Sequence, residues 1–115
     1  MKTQMVPIQV INLPNLRGEV PILDIGAGGE GLVSRIHDER VVGVDNNILK
    51  IREAGIYQNS SQWICGDARF LSIRDHSFSN STIWFSMAFF REDTTKVRVL
   101  QEVYRILRSG GHLSL

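Results

Sequence analysis

The sequence predicts an α/β fold in which helices cover both faces of a doubly wound, mostly parallel sheet. Short apolar runs bounded by glycine or polar residues are typical of buried strands, and they alternate with segments of helical apolar spacing. Such alternation requires crossover connections, which make neighbouring strands parallel. The 115 residues, of which 43% are apolar, favour one domain with an ordinary core.

Five segments are predicted as strands. The first three are 19–25, 40–45 and 62–67, the fourth is 81–87, and the fifth begins at His112. Ligands of such sheets bind at the carboxyl ends of the strands. We therefore expect one rim of the sheet to carry three acidic groups that fall at or near strand ends: Asp24, Asp45 and Asp67.

Three segments have helical spacing. They are 31–39, 47–55 with Gly55 as a helix stop, and Thr94–Arg108. The last has an apolar stripe formed by Val97, Leu100, Val103, Tyr104 and Leu107. We expect this helix to be capped by Asp93 or Thr94, to have its negative end stabilised by Arg105 and Arg108, and to be ended by Gly110 and Gly111.

The stretch ILDIGAGGEG places a glycine-rich turn directly after the first predicted strand. Gly26, Gly28 and Gly31 satisfy the G-x-G-x-x-G spacing of dinucleotide-binding turns. A turn without side chains lets the backbone approach a ligand closely. The alternative is a tight turn required by the geometry of the chain alone.

Asp45 and Asp24 indicate what kind of ligand the turn would bind. Asp45 ends the second strand, 19 residues after Gly26, where a carboxylate accepts hydrogen bonds from ribose hydroxyls. Its alternative role is to cap the next helix through the amide of Asn47 or Ile48. Asp24 would repel a pyrophosphate but attract an ammonium group, unless it is only a structural turn residue. This favours S-adenosylmethionine, which carries no phosphate, over a nicotinamide cofactor of an oxidoreductase.

The motifs resemble those of class I S-adenosylmethionine-dependent methyltransferases, especially the methyltransferase type 11 group that includes the ubiquinone/menaquinone biosynthesis type. ILDIGAGGEG is similar to the first motif, although Glu30 stands where the third glycine is usual. VVGVDNN resembles the second motif and CGDARFL the third. The resemblance implies a set of cofactor-binding residues: Asp24, Gly26, Ala27, Gly28, Gly31, Asp45, Asn46, Asp67 and Ala68.

Within that set the resemblance implies particular roles. It assigns Asp45 to the ribose, Asp67 to the adenine amino group and the amide of Ala68 to the adenine ring. The later segments DHSFSNSTIWFSMAFF and LQEVYRILRSGGHL also resemble the family, although Ser79 replaces its usual aspartate and Ser109 a common proline.

The implied protein is a Rossmann-like methyltransferase that acts on a small-molecule acceptor. Residues 20–115 would form the cofactor-binding domain after an N-terminal segment, 1–19, and no catalytic residue is nominated. The family fold has seven strands, so we expect an incomplete sheet. The alternative is a truncated or non-catalytic relative that binds the cofactor weakly or serves as an interaction module. Self-association or a partner chain would then cover the open sheet edge.

Composition excludes several other classes of protein. The formal net charge of +1 gives no reason to expect nucleic acid as a partner, and no apolar run is long enough to span a membrane. The single cysteine, Cys65, fits a reducing compartment such as the cytoplasm. No metal site is expected, because three scattered histidines have no ligand spacing with Cys65: His37, His76 and His112.

Two apolar groups have both a functional and a structural interpretation. Ile48, Leu49 and Phe70 could line an adenine slot, although core packing is favoured for them. The second group follows the fourth strand and could form a wall of the substrate entrance or be buried under a helix: Met87, Phe89 and Phe90.

Overall fold

A computed structural model of the protein describes residues 21–28, 33, 40–57, 61–83, 87 and 90–115. Within these residues, five strands form one sheet in which every pairing is parallel. The strands are β1 Ile22–Ile25, β2 Val41–Asp45, β3 Gln62–Cys65, β4 Phe78–Thr82 and β5 Leu107–Ser114. Their order across the sheet is β3-β2-β1-β4-β5, which places the first strand at the centre.

Two helices are defined over the same residues, α1 Ile48–Tyr57 and α2 Asp93–Ile106. The helix predicted over 31–39 lies outside the described residues except for Val33, which has helical backbone geometry. The strand order reverses direction at β1, as it does in a doubly wound sheet, so the predicted α/β fold is confirmed.

The core lies on both faces of the sheet. The larger cluster includes Leu23 and Ile25 of β1, and α2 packs on it through Val99, Val103 and Ile106. A second cluster joins Ile22, Val33 and Val41. Successive side chains of a strand point to opposite faces. Ile22 therefore belongs to the cluster on one face of the sheet and Leu23 to the cluster on the other. The sheet is therefore covered from both sides.

The fourth strand differs from its predicted bounds. We expected 81–87, but β4 runs from Phe78 to Thr82 and consists largely of small polar residues. Most of these residues are buried between β1 and β5, where their polar groups are paired. The Ser81 hydroxyl, for example, donates to the Leu23 carbonyl at 2.9 Å. A buried strand built this way lacks the apolar run from which a strand is predicted.

The end of α2 also differs from the prediction. The helix ends at Ile106, and Leu107 is already extended, so Gly110 and Gly111 do not terminate it. They lie in β5, where the pairing with β4 becomes irregular. Gly110 has a φ of +79°, and a Cβ at Gly111 would lie 2.9 Å from the Arg108 carbonyl oxygen. The glycines therefore permit an irregular strand rather than a helix stop.

The other predicted helix signals also need correction. Gly55 lies inside α1, which continues to Tyr57. Its start is capped by Asn47, whose side-chain oxygen accepts hydrogen bonds from the amides of Leu49 and Lys50 at 3.0 and 3.4 Å. At the start of α2 the cap position belongs to Glu92, which makes no side-chain capping bond.

Candidate functional site

The glycine turn after β1 is hydrogen-bonded to the end of β2. The amides of Gly26 and Ala27 both donate to the Val44 carbonyl, at 2.8 and 3.1 Å. Gly26 has a φ of +73°, which glycine adopts without strain. These two amides are therefore engaged by the backbone, and the turn is held against the neighbouring strand before any ligand binds.

Asp45 joins this turn to the start of α1. Its Oδ2 accepts a hydrogen bond from the Gly28 amide at 3.1 Å, and its Oδ1 accepts one from the Asn47 amide at 2.9 Å. The contact with Asn47 is the one expected of a structural aspartate, although Asn47 is the residue that caps the helix. Asp45 is partly exposed, and each carboxylate oxygen has two lone pairs, so it retains capacity for further donors.

Gly28 lacks room for a side chain for a reason that the sequence did not reveal. An added Cβ would lie 2.7 Å from the Lys50 Cβ and 2.9 Å from Asp45 Oδ2. Real Cβ atoms do not approach a neighbour so closely, and a Cβ fixed to a helix backbone cannot move aside. The turn therefore fits closely between β2 and α1. Gly31 lies outside the described residues.

Asp24 is buried within β1 rather than exposed on the rim. Only 4% of it is accessible, and its Oδ1 accepts a hydrogen bond from the buried Thr82 hydroxyl at 2.7 Å. Burial raises the pKa of Asp24 to about 7, the Thr82 bond opposes that rise, and the nearby Asp45 carboxylate adds to it. Because so little of the Asp24 side chain is accessible, its charge would act on a ligand mainly through the electrostatic field at the glycine turn.

Asp67 follows the end of β3, which pairs with the end of β2 at Asp45. Asp45 pairs with Cys65, and the Gly66 amide donates to the Asp45 carbonyl at 3.0 Å. The Asp67 carboxylate is bonded by Arg69, and this bonding lowers the pKa of Asp67. Ala68 packs its side chain into the larger core cluster, which leaves its backbone for any ligand contact.

Three large apolar side chains beside these loops are exposed, contrary to the favoured interpretation as core. Ile48 is 46%, Leu49 67% and Phe70 64% accessible. Ile48 and Leu49 begin α1 just after Asp45, and Phe70 follows Asp67. For the second apolar group, Met87 and Phe90 pack against the core. Phe89 lies outside the described residues.

Structure brings further residues to the site that the sequence did not single out. Thr82 bonds Asp24 across the β1–β4 pairing, a contact that depends on strand register. Trp63 packs over Gly43, where an added Cβ would lie 2.5 Å from its ring. The contact of Arg69 with Asp67 could have been predicted, since the side chain of an aspartate often accepts a hydrogen bond from the backbone amide two residues later. Asn46 is exposed between Asp45 and Asn47.

The described residues contain neither a cluster of metal ligands nor a membrane-spanning helix. No group of three or more potential metal ligands occurs among them. Likewise, none of the helices in the part of the chain that the structure describes is long and apolar enough to cross a membrane.

Comparison with known proteins gives a consistent result. Residues 23–115 match the family described as "Methyltransferase domain". The ubiquinone/menaquinone biosynthesis C-methyltransferase UbiE of Legionella pneumophila (strain Corby) is 28% identical over 90% of this chain and 44% of its own length. The Blochmanniella floridana protein of the same name is 35% identical over 80% of this chain and 39% of its own. The chain thus spans less than half the length of these curated relatives.

Solved structures agree with the sequence matches. An S-adenosylmethionine-dependent methyltransferase from Methanosarcina mazei superposes with a TM-score of 0.77 at 27% identity, covering 85% of this chain and 52% of that one. The family match begins at the second residue of β1 and continues through β5, so it includes Asp24, Asp45 and Asp67. The chain belongs to the class I S-adenosylmethionine-dependent methyltransferase family, whose cofactor is S-adenosylmethionine.

Proposed function

We propose that this chain binds S-adenosylmethionine at the carboxyl ends of β1, β2 and β3 and transfers its methyl group to a small-molecule acceptor. The observation that carries the proposal is the contact between the Gly28 amide and Asp45 Oδ2 at 3.1 Å. It places the glycine turn beside a partly exposed carboxylate, which is the arrangement that binds a ribose in sheets of this type.

The chemistry of the site fits this cofactor. Asp24, Asp45 and Asp67 lie in or just after three adjacent strands, and carboxyl groups accept hydrogen bonds from hydroxyl, amino and ammonium groups. S-adenosylmethionine offers all three kinds of donor and no phosphate. Exposed apolar side chains beside the same loops suit the faces of an adenine ring: Ile48, Leu49 and Phe70.

Each predicted site residue has a place in the proposal. Asp45 accepts from the ribose hydroxyls, Asp67 from the adenine amino group, and Ala68 offers its backbone amide to the adenine ring. Asp24, in its ionised form, contributes negative charge toward the ammonium group. The remaining described residues form or adjoin the turns around the cofactor: Gly26, Ala27, Gly28 and Asn46. The role of Gly31 stays a prediction from the sequence.

The methyl transfer itself places few demands on the protein. S-adenosylmethionine supplies, when bound, a methyl group on a positively charged sulfur, which leaves with the electron pair of the broken carbon–sulfur bond. The residues of this chain then have to hold the cofactor and exclude water from it. We nominate no catalytic acid or base. Because the curated relatives are named C-methyltransferases, carbon acceptors related to ubiquinone and menaquinone are the first to test.

Calorimetric titration with S-adenosylmethionine, its demethylated product and NAD tests the cofactor assignment. We expect the first two to bind and NAD not to bind. Turnover is then measured against a panel of small acceptors, and light scattering tests the expected self-association at the sheet edge. Binding without turnover would favour the alternative, a non-catalytic or truncated relative. Preferential binding of NAD, or no binding of S-adenosylmethionine, would overturn the proposal.

A further inference from the structure

In the part of the chain that the structure describes, the Asp67 carboxylate is bonded by Arg69. Arg69 Nε lies 3.1 Å from both Asp67 oxygens, and Arg69 Nη2 lies 2.7 Å from Oδ2. The Arg69 backbone amide adds a fourth contact to Oδ1 at 2.9 Å. A guanidinium that faces both oxygens of a carboxylate in this way forms a charge-assisted, planar pair.

A second contact keeps the Arg69 side chain in this position. Its guanidinium carbon lies 5.4 Å from the centre of the Phe70 ring, and the Arg98 guanidinium lies 5.2 Å from the same ring. Arg69 is thus held between a carboxylate and an aromatic face. The side chains of Arg69 and Asp67 are 45% and 44% accessible, so the ion pair is weak enough for a ligand to displace.

We propose that Arg69 competes with the amino group of the adenine ring for the Asp67 carboxylate and thereby lowers the affinity for the cofactor. The inference rests on the proposed function, in which Asp67 accepts from that amino group. To bind adenine, the carboxylate has to release part of the guanidinium, and Arg69 keeps its contact with Phe70 as it moves. Exposed ion pairs contribute little, so the penalty corresponds to an affinity change of about two- to fivefold.

The same geometry affects selectivity between purines. Arg69 presents N–H donors where the ring substituent at position 6 would lie. These donors compete with an amino group, but they would pair with a carbonyl oxygen, which accepts hydrogen bonds. Arg69 therefore weakens discrimination between adenine and hypoxanthine. A variant without the guanidinium is expected to discriminate more strongly.

The test compares Arg69→Gln with the unmodified chain. The probes are S-adenosylmethionine, 5′-methylthioadenosine and 5′-methylthioinosine, and calorimetry gives their affinities. We expect R69Q to bind the first two about two- to fivefold more tightly, and to bind methylthioinosine no more tightly than the unmodified chain does. In an Asp67→Asn background, R69Q should give no gain, because the shared acceptor has been changed.

Arg74→Gln is the matched control, since Arg74 is an exposed arginine in the segment after the Asp67 loop. It should leave all three affinities unchanged, and circular dichroism should confirm that every variant folds. If the unmodified chain binds S-adenosylmethionine but R69Q binds S-adenosylmethionine and 5′-methylthioadenosine equally or more weakly, the proposed role of Arg69 is overturned and the proposed function is not. Failure of the unmodified chain and all variants to bind S-adenosylmethionine would reject both the proposed function and this inference.

Discussion

Asp45 accepts one hydrogen bond from the glycine turn and one from the start of α1. Through Oδ2 it holds the glycine turn at Gly28, and through Oδ1 it holds the residue that caps α1, Asn47. A cofactor hydroxyl would therefore meet a carboxylate whose orientation is already fixed. Preorganisation of this kind lowers the ordering cost of binding. It also means that the structural and ligand-binding interpretations of Asp45 are compatible.

Replacing this carboxylate is the first prediction. Asp45→Ala should weaken S-adenosylmethionine binding at least about tenfold, because each lost hydrogen bond to a charged acceptor costs about 1.5–3 kcal/mol. Calorimetry measures the change. Asp93→Ala is the control, since Asp93 is an exposed acid on α2 with a side chain 98% accessible. Unchanged affinity in a folded D45A protein would refute the assigned role.

Gly28 gives a second prediction at the same scale. A valine there would place its Cβ against Lys50 and Asp45, so Gly28→Val should displace the turn and abolish cofactor binding. We also expect some loss of stability, because the turn packs between β2 and α1. Thermal unfolding and calorimetry separate the two effects. A destabilised G28V chain that still binds normally would show that the turn has only a structural role.

Gly55→Ala is the control for that substitution. Gly55 lies within α1, its added Cβ would meet nothing within 4 Å, and alanine is favoured in helix interiors. G55A should therefore raise the free energy of unfolding by about 0.5–1 kcal/mol and leave binding unchanged.

Individual residues show why the site could be predicted only in part. The positions of Asp45 and Asp67 after apolar strands are visible in the sequence, because parallel strands end on one rim. Thr82 could not be found, since its contact with Asp24 depends on the register between β1 and β4. The burial of Asp24 was missed for a related reason: it depends on β4 lying alongside, and the bounds of β4 were themselves predicted wrongly.

At the scale of elements, α2 holds an irregular segment of the chain against the sheet. The buried Glu102 carboxylate accepts a hydrogen bond from the Leu71 amide at 2.7 Å. Arg105 bonds Glu102, the Asp75 carboxylate and the carbonyls of Leu71 and Ile73. These contacts fix the residues that follow Asp67. Because the bonding from Arg105 outweighs burial, the pKa of Glu102 falls to about 2.

The third prediction removes this charge without changing the shape of the side chain. Glu102→Gln should lower the free energy of unfolding by about 2 kcal/mol, because bonds to a charged acceptor are lost and Arg105 loses its buried partner. Urea unfolding measures the difference. Glu53→Gln, an exposed glutamate on α1, is the control and should have little effect. A loss no larger than that of E53Q would contradict the stabilising role of Glu102.

Elements were predicted well where side chains alone define them and poorly where tertiary contacts do. The helical spacing of apolar residues placed α2 between Asp93 and Ile106 within two residues. The stripe itself was wrong at Val97 and Tyr104, which are exposed. The helix packs through Val99, Val103 and Ile106 instead. Its end was misplaced because the 76–77 backbone amides donate to the Arg105 and Ile106 carbonyls. That termination comes from a segment about 30 residues earlier, and no local signal records it.

For the whole molecule, two buried carboxyl groups have opposite effects on stability as the pH changes. The pKa of Glu102 lies below its ordinary value of 4.5, so its contribution is present above about pH 4.5 and is lost as the pH falls toward 2. Asp67 acts in the same direction, because Arg69 lowers its pKa. The pKa of Asp24 is raised from 3.8 to about 7, so its contribution is present below about pH 4 and is lost as the pH rises through 7.

The fourth prediction follows from that opposition. Between about pH 4.5 and 7.5 the unmodified chain should lose stability, because the Asp24 carboxyl has to ionise in a buried site beside Asp45. The asparagine of Asp24→Asn stays neutral and keeps an oxygen that accepts a hydrogen bond from the Thr82 hydroxyl. The stability of this variant should therefore change much less over the same pH range. Urea unfolding of both proteins at the two pH values measures the difference. Both should lose stability below about pH 4 as Glu102 and Asp67 become protonated. An equal loss in both proteins between the two pH values would show that ionisation of Asp24 is not its cause.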